Sequence, residues 1–248
     1  MSNPFKDILS NVSFLKGGGA PNAVGIDIGS SAIKVVEIKK KGGKAVLETY
    51  GSISLGPYGD TEIGRITNLT EDKIIEALKE VLKQSGTTTP SSALSIPVQS
   101  SLIFTLELPT EINEGDMDTI VTTEARKYIP VPITEVSVDY FPLPAKEPNY
   151  EESHDPEKAL ATASKREVLV VAIQNDAISR LRSIVDKAGI TANFFEVEIF
   201  SSVRSNFEHE LSLVLLMDLG ASRTKLSLVE FGTVKGYHTI NRGGADIS

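Results

Sequence analysis

A short pattern of residues capable of binding chemistry occurs twice in the sequence. The first copy covers residues 25–34 (GIDIGSSAIK) and the second covers residues 216–225 (LMDLGASRTK). From its second residue on, each copy consists of an apolar residue, Asp, an apolar residue, Gly, a small residue, Ser, two variable residues and Lys. A single Asp-x-Gly turn between strands is a common structural feature. Two copies that agree at the Asp, Gly, Ser and Lys positions make coincidence the weaker explanation.

Each copy has the residue types that a phosphate-binding turn requires. Gly29 and Gly220 lack a Cβ atom and therefore let the backbone come close to a ligand. Successive amide groups in such a turn point into one concavity that attracts an anion. A carboxylate beside a bound phosphate indicates a magnesium ion between them, because Mg²⁺ prefers one or two carboxylates together with phosphate oxygens and water. The two turns are therefore predicted to hold a polyphosphate from both sides.

The predicted ligand-binding residues follow from this pattern. The phosphate-binding set consists of Gly29, Ser30, Ser31 and Lys34 in the first copy and Gly220, Ala221, Ser222 and Thr224 in the second copy. Asp27 and Asp218 are the predicted magnesium ligands, acting through water. The sequence contains no G-x-x-x-x-G-K-[ST] P-loop and no G-x-G-x-x-G pattern, so it supports neither a P-loop NTPase nor a Rossmann dehydrogenase.

Alternating strand and helix patterns place these turns in an α/β fold with mixed sheets. Helical periodicity predicts helices at 71–84, 116–128 and 176–188, with N-caps at Thr70 and Asn175, and a further helix through Phe200, Val203 and Phe207. Segments at 168–173 and 213–219 are predicted to be buried strands. The other predicted strands are at 24–28, 33–39, 45–55, 93–96, 101–108, 136–143, 192–197, 224–231 and 234–240.

Two segments are predicted to lie outside the packed core. Residues 1–22 form a tail that ends in a Gly-rich linker, and we expect it to be flexible. A short amphipathic segment that touches a partner or a membrane surface is the alternative for this tail. Residues 144–165 are polar, rich in Pro, Glu and Ala, and without apolar periodicity, so they are predicted to form an exposed loop.

The composition argues against several classes of function. The 248 residues carry a net charge of −8 without a basic stripe, which argues against nucleic-acid binding. The absence of Cys rules out disulfides and thiolate metal sites, and the three His are far apart in sequence. No apolar run approaches the roughly 20 residues of a membrane span, and no secretory signal is recognisable. The sequence therefore predicts a cytoplasmic protein without a transmembrane segment.

Several segments resemble the PilM family of type IV pilus assembly proteins, within the actin-like ATPase superfamily. Residues 25–37 look like the first phosphate hairpin of that family. Residues 124–132 (EARKYIPVP), followed by Asp139-Tyr140, resemble its inserted subdomain, in which a helix ends at a Tyr-Ile-Pro-x-Pro turn. Residues 188–198 resemble its connecting segment between lobes, and residues 242–247 (RGGADI) resemble its Gly-Gly-x-Asp element.

The resemblance implies an actin-like (ribonuclease H-like) fold that binds ATP and Mg²⁺ between two lobes. The first lobe would comprise residues 23–97 and 166–211, the inserted subdomain residues 98–165, and a truncated second lobe residues 212–248. Gly243 and Gly244 would add to the nucleotide site. Glu198 is the candidate catalytic residue, which would orient water, and turnover would be at most that of a slow ATPase.

The resemblance also implies a protein-binding role. Members of the family dock the N-terminal cytoplasmic peptide of the inner-membrane protein PilN in a groove beside the inserted subdomain. The chain would therefore be cytoplasmic and held at the inner membrane through a PilN-like partner, with self-association left open. In the connecting segment, Glu196 and Ser201 replace the family's usual Asp and Ala.

Three alternatives remain open on the sequence. An FtsA-like cell-division protein would carry a C-terminal amphipathic membrane helix. A sugar or acid kinase of the same superfold would need a base near the transferred phosphate. A degenerate actin-like fold would bind partners without nucleotide. The Tyr-Ile-Pro-x-Pro turn at 128–132 favours the pilus assembly family.

Overall fold

The computed structural model describes residues 22–42, 44–143, 165–207, 212–230 and 232–247. Apart from Asn22 and Lys165, the predicted tail and the predicted loop at 144–165 lie outside the described residues. Among the helices that are described, none has the length and apolar character needed to cross a membrane.

The described residues confirm the predicted α/β class. Each predicted strand is present, as β1 (Asn22–Ile28), β2 (Ala32–Lys41), β3 (Lys44–Ser54), β4 (Ser91–Ile96), β5 (Ser101–Pro109), β6 (Val136–Pro142), β7 (Lys165–Gln174), β8 (Thr191–Val197), β9 (Val214–Leu219), β10 (Thr224–Glu230) and β11 (Thr233–Ile240). The α-helices of the described residues are α1 (Glu71–Ser85), α2 (Met117–Ala125), α3 (Asn175–Lys187) and α4 (Glu198–Asn206).

The chain divides into two compact units. The larger unit contains residues 22–98 and 177–247 of the described chain, and the smaller unit, here called the insert, contains residues 99–176. The larger unit has a five-stranded sheet in the order β3-β2-β1-β4-β8 and a three-stranded sheet in the order β11-β10-β9. In the first of these sheets β1 is antiparallel to β2 and parallel to β4, so the sheet is mixed, as predicted.

Helix α1 packs against the five-stranded sheet through the apolar stripe that its sequence predicts. The buried residues of this stripe are Ile74, Ile75, Ala77, Leu78, Val81 and Leu82. Gly51 in β3 permits the close approach, because a Cβ atom there would lie 2.9 Å from Cβ of Ser85. The helix ends at Gly86, whose φ of 68° suits glycine. Thr70 occupies the N-cap position as predicted, but its side chain makes no capping hydrogen bond.

The insert is built on the sheet β5-β7-β6, which is antiparallel throughout. Its central strand β7 is buried along Val168–Ile173, which confirms the predicted burial. Leu106, Leu108, Val168, Val170 and Ala172 pack against Met117, Val121 and Ala125 of α2. Because β7 is the middle strand of this sheet, the insert extends to Asp176, and the boundary that we predicted at 165 lies too early.

Helix α2 within the insert and helix α3, which starts at the C-terminal end of the insert, both differ slightly from prediction. Helix α2 ends at Ala125 rather than at 128, since Tyr128 donates to the Ala125 carbonyl in a tighter turn before Pro130. Asn175 is the first residue of α3 rather than its cap. Its side-chain amide donates to the Thr134 carbonyl at 3.0 Å and accepts from the Ser137 hydroxyl at 2.7 Å, which ties the start of α3 to β6.

The prediction of a buried strand at 213–219 is wrong. Strand β9 alternates between half-buried and exposed residues, and Leu215, Met217 and Leu219 are each more than half exposed. Helix α4 contacts β4 and β8 of the first sheet and β11 of the second, so it joins the two sheets of the larger unit. The apolar residues on both faces of β9 hid its alternation in the sequence.

Candidate functional site

The two copies of the repeated pattern form hairpins with the same register. In the first hairpin, between β1 and β2, Asp27 lies directly opposite Lys34. In the second hairpin, between β9 and β10, Asp218 lies directly opposite Lys225. The two strands of a hairpin point directly paired residues to the same face. Each hairpin therefore presents one carboxylate and one ammonium group side by side.

The turns of the two hairpins also match. The Gly29 amide donates to the Ala32 carbonyl at 3.0 Å, and the Gly220 amide donates to the Arg223 carbonyl at 2.9 Å. A Cβ atom on Gly29 would lie 3.0 Å from the Ala32 oxygen, and one on Gly220 would lie 2.9 Å from the Arg223 oxygen. Each turn thus closes so tightly that the added carbon would press on a backbone carbonyl. A side chain at either position would require the facing carbonyl to shift, so glycine suits this geometry.

The tips of the two hairpins are in contact. The Ser30 hydroxyl donates a hydrogen bond to the Ser222 hydroxyl at 3.1 Å. The first turn is held from behind, because its carbonyls at Ser30 and Ser31 accept bonds from the Thr67 and Leu55 amides at 3.0 and 2.8 Å. The structure therefore brings the predicted phosphate-binding residues of both copies to one place.

Backbone donors at the hairpin tips remain available. Within the described chain, the amides of Ser30, Ser31, Ala221 and Ser222 donate no hydrogen bond to a protein acceptor. Adjacent unpaired amides on a tight turn, with serine hydroxyls beside them, make a concavity suited to an anion. This arrangement is the one that the sequence predicts for a phosphate group.

Gly243 and Gly244 pack against the second hairpin with their amides already engaged. The Gly244 amide donates to the Gly220 carbonyl at 2.9 Å, and the Gly243 amide donates to the Asp246 carboxylate at 2.8 Å. A Cβ atom on Gly243 would lie only 2.4 Å from the Ala221 carbonyl oxygen. The Gly-Gly element therefore supports the second turn from behind through close backbone contact.

Thr224 also points toward the Gly-Gly element. Its hydroxyl donates to the Arg242 carbonyl at 2.9 Å. The side chain thereby ties β10 to the segment that follows β11. Thr224 thus lies next to the second hairpin, as the sequence predicts, with its hydroxyl used in an internal bond.

The Asp–Lys pairs of the two hairpins differ in exposure. Lys34 Nζ lies 3.7 Å from Asp27 Oδ2, and the Lys34 side chain is 65% exposed. Lys225 Nζ lies 2.8 Å from Asp218 Oδ2, and the Lys225 side chain is 14% exposed. Burial lowers the pKa of Lys225, but the hydrogen bonds to Asp218 and Glu198 raise it more, so its pKa is above the ordinary value for lysine. The second pair is therefore a fixed ion pair, and the first is open.

Both carboxylate oxygens of Glu198 accept hydrogen bonds from other protein groups. Oε1 accepts a bond from the Val98 amide at 2.9 Å, and Oε2 accepts one from Lys225 Nζ at 2.6 Å. Glu198 is the first residue of α4, and Val98 follows the end of β4. The carboxylate thus links the second hairpin to the first sheet. In this arrangement it is bonded to protein donors rather than free to orient a water molecule.

Sequence reasoning missed Lys225 as part of the site. It is the last residue of the second copy of the pattern, and its equivalent Lys34 was predicted to bind phosphate. The register Asp218–Lys225 was the available signal, because a two-residue turn between paired strands fixes which residues face each other. The link from Glu198 to the Val98 amide had no such signal, since it joins residues 100 positions apart.

Glu196, at the position where the family's connecting segment usually has Asp, takes part in an ion pair. Glu196 bonds both terminal nitrogens of Arg204 on α4. The hydrogen bonds that Arg204 donates to Glu196 raise the pKa of Arg204, against the lowering effect of burial. Glu196 therefore acts as a structural partner of α4 in this chain.

The residues present fit a magnesium–polyphosphate complex at the first hairpin. No cluster of three or more His, Cys, Asp or Glu side chains occurs among the described residues. Mg²⁺ that keeps its waters and binds phosphate needs only one or two carboxylates. Asp27 meets this requirement, because its carboxylate is 43% exposed and its lysine lies beyond hydrogen-bonding distance. Asp218 fits less well, because an ammonium group already lies against it.

Comparison with known proteins agrees with the predicted resemblance. The profile of the family described as type IV pilus assembly protein PilM matches residues 25–247. A solved PilM–PilN type IV pilus biogenesis complex is similar with a TM-score of 0.69 and 23% identity, covering 90% of this chain and 62% of that chain. The cytoplasmic domain of EpsL, an inner-membrane component of the type II secretion system of Vibrio cholerae, is similar with a TM-score of 0.52 and 7% identity. That match covers 89% of this chain and 71% of the solved cytoplasmic-domain chain.

The family match extends over nearly all the described residues, from the first hairpin to the Gly-Gly element. The chain spans less than two thirds of the length of the PilM chain that it matches. Its mixed sheets and paired hairpins have the actin-like architecture that the sequence predicts. The chain belongs to the PilM family of type IV pilus assembly proteins, with an actin-like fold.

Proposed function

We propose that this chain is a nucleotide-responsive assembly protein of the type IV pilus, which binds the phosphates of MgATP between its two hairpins. The observation that carries the proposal is the meeting of the hairpins at Ser30 and Ser222, whose hydroxyls are 3.1 Å apart. A polyphosphate between the tips would take over these two donors and the neighbouring unpaired amides. The hydrated Mg²⁺ would lie on the Asp27 side.

Isothermal titration of the chain with MgATP tests nucleotide binding. We expect binding heat for the wild type, and a loss of affinity on the order of tenfold for Ser31→Pro, which removes one turn amide. Gly115→Ser is the control in a turn outside the hairpins, since a Cβ atom at Gly115 meets nothing within 4 Å and Gly115 is not among the glycines with positive φ. No heat with folded wild-type protein at high concentration would favour the degenerate, binding-only alternative.

We infer that any ATP turnover is slow. Glu198 has both oxygens bonded to the Val98 amide and to Lys225, so it is poorly placed to activate water. A protein that binds nucleotide but turns it over slowly suits a conformational signal rather than a metabolic reaction. A coupled phosphate-release assay, with and without added sugars, separates this role from a kinase-like one. Turnover that depends on an added sugar would contradict the proposal.

We also propose that the insert binds the N-terminal cytoplasmic peptide of a PilN-like membrane protein. The support is the family match together with the similar PilM–PilN complex. In this chain the turn at 128–132 presents Tyr128 and Val131 to solvent, while Ile129 between them is buried. The Tyr128 ring stacks on Phe104 with centroids 5.2 Å apart, which holds it in place. An exposed, fixed aromatic group is the kind of anchor that peptide docking uses.

Capture of a PilN-like N-terminal peptide on beads tests the docking proposal. Tyr128→Ala should lower the affinity about tenfold or more, because an aromatic anchor is removed. Phe141→Ala is the control within the insert. Phe141 is also exposed but points to the opposite face of the sheet from Phe104, on which Tyr128 stacks. Phe104 pairs with Val170, whereas Phe141 pairs with Leu169, the next residue of the same strand. Peptide capture that neither substitution affects would place the partner elsewhere.

A further inference from the structure

The second hairpin holds a positive charge where a metal ion would be expected. Lys225 Nζ lies 2.8 Å from Asp218 Oδ2 and 2.6 Å from Glu198 Oε2. The ammonium group therefore lies between two carboxylates that come from β9 and from α4. A cation between two carboxylate oxygens is also the arrangement of a bound divalent metal.

The first hairpin lacks this arrangement. Lys34 is the equivalent of Lys225 by register, but its Nζ lies 3.7 Å from Asp27 and its side chain is mostly exposed. No second carboxylate is bonded to Lys34 in the described part of the chain. Two hairpins with the same sequence pattern thus have different charge arrangements.

Burial fixes the position of Lys225. Its side chain forms part of the wall of a small pocket, and hydroxyl and apolar side chains surround it. The lining residues are Glu198, Ile199, Ser202, Leu216, Asp218, Lys225 and Ser227. An ammonium group at this place repels an incoming divalent cation and at the same time neutralises one of the two carboxylates.

We propose that Lys225 is a resident cation that replaces a metal ion at the second hairpin, so that Asp218 binds no metal and a divalent cation binds only on the Asp27 side. The proposal deepens the nucleotide-binding function proposed above and corrects the predicted role of Asp218. Lys225 then determines which of the two hairpins binds the divalent cation. Removing the ammonium group leaves two adjacent carboxylates with a charge of −2, which is a site for a divalent cation.

Binding of Mn²⁺ alone, followed by electron paramagnetic resonance of the full chain, tests the proposal without nucleotide. Mn²⁺ prefers the same oxygen ligands as Mg²⁺. We expect Lys225→Met to bind Mn²⁺ more tightly than the wild type, by a factor on the order of ten to a hundred. The double variant Lys225→Met with Asp218→Asn should lose this gain. Lys235→Met, which removes a lysine 3.5 Å from the single carboxylate of Glu230 and away from both hairpin turns, is the matched control and should change Mn²⁺ affinity only slightly.

If Lys225→Met is unfolded in a chelator, added Mn²⁺ should refold it, because a cation returns between Asp218 and Glu198. A variant that stays unfolded in saturating Mn²⁺, or a folded one without added affinity, overturns the proposal. The proposal is also overturned if the wild type binds Mn²⁺ and Asp218→Asn abolishes that binding. Because nucleotide is absent from these experiments, their failure is distinguishable from a failure of the wild type to bind MgATP.

Discussion

The Ser30 hydroxyl donates a hydrogen bond to the Ser222 hydroxyl at 3.1 Å, although the two residues lie 192 positions apart. Each serine belongs to the tip of a separate hairpin, one from each sheet of the larger unit. The contact therefore fixes the spacing between the two turns. A ligand that bonds to both tips has to replace this hydrogen bond with its own acceptors.

A double-mutant cycle on Ser30→Ala and Ser222→Ala should measure this contact. We expect a coupling free energy of about 0.5–1 kcal/mol in urea unfolding, as for a partly exposed hydrogen bond between neutral groups. Saturating MgATP should reduce the coupling, since each hydroxyl then has a phosphate acceptor. A coupling near zero without ligand would mean that the two hydroxyls do not interact in solution.

Gly243→Ala should strongly destabilise the protein, because the added Cβ atom would collide with the turn of the second hairpin rather than with its own loop. The added Cβ atom would lie 2.4 Å from the Ala221 oxygen and 2.5 Å from the Gly220 oxygen, and backbone atoms cannot move away easily. We expect a loss of about 1–3 kcal/mol in the free energy of unfolding. Urea denaturation measures the loss, and weaker nucleotide binding should accompany it.

Gly236→Ala in the neighbouring strand β11 is the matched control for Gly243→Ala. A Cβ atom at Gly236 meets nothing within 4 Å. We expect a change in unfolding free energy of less than about 0.5 kcal/mol. If both substitutions had the same effect, contact with the second turn would not be the cause.

The local pattern in the sequence was sufficient to predict the strands, the α/β class and both hairpins. Asp27 to Lys34 and Asp218 to Lys225 each place a glycine at a tight turn between apolar strand residues, and this information is local. The family resemblance extended the prediction to the insert. The placement of Gly29, Gly220 and the serines at one site follows from the repeat, since two similar turns can serve one ligand.

What the sequence could not provide are contacts between distant elements. The bond from the Val98 amide to Glu198 depends on how α4 packs against β4, and no residue pattern encodes it. The exposure of β9 was also missed, because apolar residues on both of its faces resemble a buried strand. The boundary of the insert was predicted too early because the apolar sequence of β7 is compatible with a buried strand in either unit. Only its pairing with β5 and β6 assigns β7 to the insert.

Tyr140→Phe should reveal an alkaline transition of the insert. The Tyr140 hydroxyl donates to Asp118 Oδ1 at 2.7 Å. Burial, this hydrogen bond and the nearby charges of Asp118 and Asp139 raise the pKa of Tyr140 from 10.0 to about 12. Since the folded-state pKa is the higher one, the stabilisation is complete below pH 10 and is lost as the pH rises through about 12.

We expect the wild type to lose about 1 kcal/mol of stability over this range, and Tyr140→Phe to lose less. Denaturant unfolding at a series of alkaline pH values measures the difference. Tyr50→Phe is the control, because Tyr50 is largely exposed on β3 in the larger unit. An equal alkaline loss in wild type and Tyr140→Phe would show that the Asp118 bond does not control the transition.

Glu37 is a buried carboxylate that holds β2 to the loop before β4. Its side chain is 0% exposed, and Oε2 accepts a bond from the Thr88 amide at 2.7 Å. Oε1 accepts bonds from the Thr88 hydroxyl at 2.7 Å and from the side-chain amide of Asn22 at 3.3 Å. Burial raises the pKa of Glu37, but these hydrogen bonds and the charge of Lys39 together lower it by more. The pKa therefore lies below the ordinary value for Glu.

This lowered pKa predicts a loss of stability in acid that depends on Glu37. Because the folded-state pKa is below that of the unfolded chain, the stabilisation is complete above the unfolded-state pKa and is lost as the pH falls through the folded-state pKa. Glu37→Gln should cost about 1–3 kcal/mol at neutral pH, because its amide group would face either the Thr88 amide or the Thr88 hydroxyl and Asn22. It should also flatten the acid limb of the stability profile, measured by urea unfolding at a series of pH values. Glu48→Gln, on the exposed part of β3, controls for the loss of one negative charge and should keep the acid limb. A steep acid limb in Glu37→Gln would assign the acid sensitivity to other carboxylates.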